Sequence, residues 1–187
     1  GATTLNGALR GPLTSVFPST TASAITTYLT GDAPAQHAVT GWHMYMRELG
    51  AVITVLPGRA RFGGELLADS GIALPLLLNN RSFAARIGVE TEFVVPKAIA
   101  DSAYTLAHSA GCLVHPFTTL DDMGDAIVKV AARSERRFVH AYWPHLDGVG
   151  HRFGMGSRQA RDMLVAIEAE VASMVERLRG SNTLLVI

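Results

Sequence analysis

The chain has 187 residues, 48% of them hydrophobic and 17% charged, and its sixteen lysines and arginines balance sixteen aspartates and glutamates. This is enough apolar sequence for a real core, which excludes a disordered chain, and the even charge leaves no basic excess for nucleic acid or an anionic membrane. The longest apolar run, Ile72 to Leu78, is interrupted by Pro75 and is too short to span a bilayer; no signal-peptide pattern opens the chain and Cys112 is alone, so a soluble chain without intramolecular disulfides is expected.

Short β-branched runs alternate with helical patterns along the chain. Leu13–Phe17 reads as a strand end or an extended lead-in. Thr21–Leu29 reads as a helix, capped by Ser19 or Thr20 and stopped at Gly31 and Pro34. A second helix is predicted over Trp42–Leu49, then a strand over Ala51–Leu56 that Pro57-Gly58 ends. A short helix over Ser82–Ile87 and strands at Glu92–Val95 and Leu113–Phe117 follow. Leu120–Ala132 has the apolar spacing of an amphipathic helix, with Asp121 and Asp122 in its acidic first turn. Arg137–Trp143 reads as a strand, Arg158–Leu178 as the longest helix and Thr183–Ile187 as a last apolar strand. Cys112 lies in an apolar run and reads as a core thiol, while Trp42 and Trp143 read as packing residues. Arg59, Arg61 and Arg81 read as solvated loop charges.

This alternation predicts an α/β fold, with a mostly parallel central sheet flanked by helices. Ligands in such sheets gather beyond the carboxyl ends of the strands. That rule selects Pro18–Thr21 and Pro144–Gly154. At the first place, hydroxyls stand where an extended segment turns into a helix. A helix N-terminus, with its unpaired N–H groups and positive dipole end, favours an alkoxide and holds phosphate. Thr21 is then a nucleophile in waiting, or simply part of a Ser19-Thr20-Thr21 cap; threonine needs a base or a metal to attack. At the second place, Asp147 and His151 are four apart. Gly148, Gly150 and Gly154 predict a loop that folds a carboxylate and an imidazole together, a donor pair suited to zinc. His145 and His140 lie nearby, His140 as a residue of the strand face. A hydroxyl at a helix start and an Asp/His pair, both at strand ends, together suit metal-assisted phosphoryl transfer.

The two motifs in this order, "FPSTTASAITTYLTGDAPAQHAVTGW" and then "YWPHLDGVGHRFG", resemble the type I phosphodiesterase/nucleotide pyrophosphatase family of the alkaline phosphatase superfamily. The resemblance runs from about Leu13 to Ile187. It implies an alkaline-phosphatase-like α/β/α sandwich and hydrolysis of phosphodiester or pyrophosphate bonds through a covalent phospho-enzyme. It implies Thr21 as the nucleophile, with Thr20 the neighbouring alternative, and Asp147 and His151 as two ligands of one ion in a pair of divalent metals, most naturally zinc. Thr30, Gly31, Pro34 and His37 match the family's TG-P-H signature as scaffold. The implied partner is a small phosphodiester or nucleotide-like substrate. At the family's phosphate-clamping asparagine stands Trp42, with His43 beside it, and Ala22 follows Thr21 where nucleotide-cleaving members often carry an aromatic; both point away from a nucleotide.

The resemblance further implies that residues 1–187 form a single α/β domain that is an interior portion of a larger catalytic domain. At most half of the metal ligands the family implies are present in these residues, and exposed sheet edges would favour self-association. The competing expectation is a non-catalytic interaction domain that keeps the scaffold, or another phospho- or phosphonohydrolase of the same superfamily.

Overall fold

The computed structural model describes residues 3–78 and 81–187. They fall into two compact units. A helix–hairpin unit contains Leu13–Glu90 and Ala98–Leu113, and a sheet unit contains Gly1–Pro12, Thr91–Lys97 and Val114–Ile187.

In the helix–hairpin unit, α2 (Thr21–Thr30) follows α1 (Thr4–Ala8) of the other unit in sequence. Thr20 is its N-cap and Gly31, at φ 72° and ψ 8°, its left-handed C-cap. That backbone is one glycine adopts without steric cost. Pro34 then opens the single turn α3 (Pro34–His37), where its missing N–H costs nothing. The predicted helix over Trp42–Leu49 is instead a strand. β1 (His43–Met46) pairs antiparallel with β2 (Ala51–Thr54), His43 opposite Thr54 and Met46 opposite Ala51, and β3 (Arg59–Ala60) extends the sheet. The AVIT segment offers a ladder that a lone helix lacks; burial alternates along β1 up to Met46, and β2 buries Ile53 and Thr54 at its end. Beyond it lie α4 (Leu74–Leu78), a 3₁₀ turn at Phe83–Ala85 where a short helix was predicted, α5 (Lys97–Ala100) and α6 (Ala103–Ser109). Arg59, Arg61 and Arg81 are exposed, as expected. Cys112 is only half-buried, at the edge of its apolar run.

The sheet unit carries a parallel sheet in the order β5-β4-β6, from β4 (Glu90–Pro96), β5 (Leu113–Phe117) and β6 (Arg137–Ala141). α7 (Leu120–Ala131) and α9 (Arg158–Arg177) pack on one another, with α8 (His145–Phe153) against α9. Val94, Phe117, Met123, Ile127, Val171 and Met174 form its core. Thr119 and Asp122 make the expected acidic start of α7 into a reciprocal capping box. The α/β class is the one predicted. Leu13–Phe17, expected as a strand end or a lead-in, joins no ladder, and the expected strand Thr183–Ile187 forms none either: it packs only Leu185 onto the core while Leu184, Val186 and Ile187 stay exposed. β-propensity without a hydrogen-bonded neighbour does not make a strand.

At the amino end of this sheet, Glu92 is fully buried. Its Oε1 accepts from Arg133 at 2.8 Å and Arg137 at 2.6 Å, and its Oε2 meets His115 Nε2 at 2.5 Å. Burial alone would push the Glu92 carboxyl up. The hydrogen bonds from His115 and Arg137 and the charge of Arg133 outweigh it and hold the carboxyl below its ordinary range.

Candidate active site

Thr20 and Thr21 stand at the start of α2 in different roles. Thr20 has extended backbone, φ −121° and ψ 157°, and its Oγ1 accepts the N–H of Ser23 at 3.5 Å. Thr21 is the first helical residue and half-buried, and among the described residues its hydroxyl has no hydrogen-bond partner. It therefore sits free beside the unpaired N–H groups and positive dipole end of the first turn.

The rest of the hydroxyl-rich stretch is structural. Ser23, Thr26 and Thr30 are all fully buried, on the inner face of α2. Ser23 Oγ donates to the Val39 carbonyl at 2.8 Å, and Thr30 Oγ1 to the Thr26 carbonyl at 2.7 Å. His37 is the packing residue its motif implied. The Val39 N–H donates to its Nδ1 at 3.0 Å, so Nε2 carries the proton and donates to Thr27 Oγ1 at 3.0 Å. Burial lowers the His37 pKa, against the pull of Asp32.

Asp147 and His151 are brought together, in the sheet unit, directly beyond the carboxyl end of β6. The loop predicted for Pro144–Gly154 is instead the helix α8, which ends at Gly154 with φ 85°. Gly150 serves close approach, since a Cβ there would collide with Met155 Sδ, and packing on α9 offsets the weak propensity of the glycines. The helix puts His151 Nε2 3.6 Å from Asp147 Oδ1, both well exposed. Trp143 packs as expected, stacking on Phe117 at 5.6 Å between ring centres and meeting His145 edge-on at 4.4 Å. His140 lies against Phe93, and burial lowers its pKa. Trp42, by contrast, is 41% exposed in the other unit.

Asp147 and His151 offer one oxygen and one nitrogen, the right donor chemistry for zinc but half of the four donors it takes. Among the described residues no group of three or more His, Cys, Asp or Glu is arranged to hold a metal ion. The pair fits as part of a metal site and does not complete one. Thr21 belongs to the other compact unit.

Two buried side chains escaped the sequence reading. Tyr104 and His108, one turn apart on α6, lie under α2, with Tyr104 Oη 2.6 Å from Thr26 Oγ1 and the two rings 4.1 Å apart. The signal was present in Ser102, a helix cap, followed by aromatic residues at i+2 and i+6. An open cleft of 320 Å³ runs along α2 beside Leu13–Val16, lined on the helix by Ala24, Thr27 and Tyr28.

The parallel sheet with its layered helices defines an α/β protein of alkaline-phosphatase type. Residues 4–187 match the sequence model of the type I phosphodiesterase/nucleotide pyrophosphatase family, and the chain belongs to that family. Comparison with curated proteins returns no match. Among solved structures it is similar to murine ectonucleotide pyrophosphatase/phosphodiesterase 5, with TM-score 0.60 and 14% identity. It is also similar to the inactive threonine-to-alanine variant of that protein in complex with AMP, with TM-score 0.60 and 13% identity. Each match covers 89% of this chain and 43% of the other, so the chain spans less than half the length of those structures. Among the described residues no helix is long and apolar enough to cross a membrane.

Proposed function

We propose that the protein carrying this chain hydrolyses phosphodiester or pyrophosphate bonds through a phospho-Thr21 intermediate. The observation that carries this reading is the free hydroxyl of Thr21 at the first position of α2, with the adjacent Thr20 occupied as the cap. The helix N-terminus stabilises the phosphoryl oxygens. Thr21 Oγ1 gives its proton to solvent water and attacks phosphorus; the bond from Oγ1 to phosphorus forms, and the bond to the leaving oxygen breaks with its electron pair staying on that oxygen. Water then cleaves the phospho-threonine and returns the hydroxyl. The loss of activity on replacing a threonine in the murine relative, and its capture of AMP in that form, support both the residue type and a small phosphate-ester substrate.

Asp147 and His151 are proposed as two ligands of a divalent ion, most naturally zinc, one of a pair. When bound, such ions lower the pKa of an attacking hydroxyl and neutralise phosphoryl charge. The chain is proposed to be a portion of a larger catalytic domain whose remaining residues supply the other donors, in line with its 43% share of the structures it matches. A second reading, a scaffold without catalysis that associates with another chain, is favoured by the incomplete donor set.

The test is turnover of bis(p-nitrophenyl) phosphate and of a nucleotide pyrophosphate by the protein, with zinc content measured after dialysis. Turnover lost in Thr21→Ala, and zinc lost in Asp147→Ala and His151→Ala, is the expected result. Absence of turnover in the zinc-loaded protein leaves the scaffold reading.

A further inference from the structure

We infer that Tyr104 is a positioning residue for Thr21, acting through a relay of hydroxyls that runs from α6 to the first turn of α2; this rests on Thr21 being the nucleophile. The relay has a defined direction. Thr26 Oγ1 lies 2.7 Å from the Ala22 carbonyl, and a carbonyl only accepts, so Thr26 spends its one proton there. The contact of 2.6 Å between Thr26 Oγ1 and Tyr104 Oη then has the tyrosine donating. The order is Tyr104 O–H to Thr26 O–H to the Ala22 carbonyl.

The end point matters because Ala22 follows Thr21 directly. Its carbonyl shares a peptide plane with the Ser23 N–H, which Thr20 Oγ1 caps, and the Ser23 side chain is tied to the Val39 carbonyl. The plane on which the first turn pivots is thus held from two sides, by the cap and by the relay. Ala22 is itself fully buried and too small to orient the turn by packing. Much of the inner face of α2 is hydroxyl, so its orientation is set by directional bonds.

The donor is as firmly held as the acceptor. Tyr104 is 4% exposed, and burial pushes its phenol pKa up, so it keeps its proton. His108 lies against its ring and donates from Nδ1 to the Tyr104 carbonyl at 2.8 Å. Ser102 caps α6 through the N–H of Thr105 at 3.2 Å. A site that attacks phosphorus needs its nucleophile placed within a fraction of an ångström, and a supporting shell is what fixes it.

The experiment compares Tyr104→Phe, Thr26→Val, Thr26→Ser and the double variant Tyr104→Phe/Thr26→Val in steady-state turnover, with Thr21→Ala alongside. Tyr104→Phe and Thr26→Val are each expected to lower kcat about ten-fold with KM unchanged, the size of effect a small misplacement of the nucleophile produces. Thr26→Ser restores turnover, and the double variant is no worse than either single one, because both break the same relay. Hydrogen exchange is read on the same proteins. The Ser23 and Ala24 amides, bonded to Thr20, should exchange faster in Tyr104→Phe while the β1–β2 hairpin is unchanged. Wild-type kcat in Tyr104→Phe and Thr26→Val, with Thr21→Ala inactive, overturns the inference. So does exchange that quickens equally throughout the helix–hairpin unit. If the wild type itself does not turn over, the proposed function fails and exchange alone decides the relay: an unchanged first turn overturns it.

Discussion

Thr20 and Thr21 are adjacent threonines with divided duties: the Oγ1 of Thr20 accepts the Ser23 N–H, and the hydroxyl of Thr21, one residue on, is left free. Under the proposed function the division assigns stability to Thr20 and the attack on phosphorus to Thr21. Thr20→Ala should cost about 1 kcal/mol of stability through the lost cap. Thr21→Ala removes no hydrogen bond, so urea unfolding should stay within about 0.5 kcal/mol of wild type while turnover is lost. Equal loss of stability in both variants would count against the assignment.

Acid should loosen the fold first through its buried histidines. Burial lowers the pKa of His37, His108 and His140 below the ordinary 6.5. The unfolded chain then binds more protons than the folded one between those values and 6.5, so the contribution is complete above pH 6.5 and is lost as pH falls through the folded values. Glu92 is also held below its ordinary 4.5, which adds a second loss below that pH. A melting temperature lower at pH 5 than at pH 7.5 is expected; a flat profile would contradict it.

Glu92→Leu should destabilise the sheet unit by about 3 kcal/mol, because the guanidinium of Arg137, 5% exposed, loses its buried counter-charge while its ion pair with the exposed Glu135 remains. Adding Arg137→Met should recover part of that loss. Urea melts of the single and double variants measure both, and a double variant worse than the single one would argue against a charge-pairing role.

Gly124→Ala tests the packing of α7 on α9. A Cβ there would collide with Glu170 Oε1, a buried oxygen without a hydrogen-bond partner among the described residues. Burial first, and then Asp121, raises the pKa of this carboxyl. Expelling the flexible side chain to water relieves that burial, and alanine favours the helix by about 1 kcal/mol. The variant should therefore be slightly more stable, with the Glu170 carboxyl titrating nearer its ordinary value by NMR.

The elements legible in the sequence are those whose signals are local. The Thr20 cap and Gly31 stop bracket α2, and the apolar spacing and acidic start give α7. Where partners decide, the sequence misleads. His43–Met46 becomes a strand because β2 lies beside it, and α8 keeps helical geometry because Gly150 makes room for Met155. Thr183–Ile187 has strand composition and no ladder. For the candidate site, the motifs point to Thr21, Asp147 and His151, but the division between Thr20 and Thr21 needed the cap geometry. The Ser102 cap marks the helix that carries Tyr104, but the contact of its hydroxyl with Thr26 spans 78 residues of sequence and has no local signal.

The two units are threaded through each other in sequence, the chain changing from one to the other after Pro12, Glu90, Lys97 and Leu113. During synthesis every residue of the helix–hairpin unit is added before the first residue of α7, β6, α8 or α9. No single genetic crossover can exchange either unit whole, so the two are inherited together.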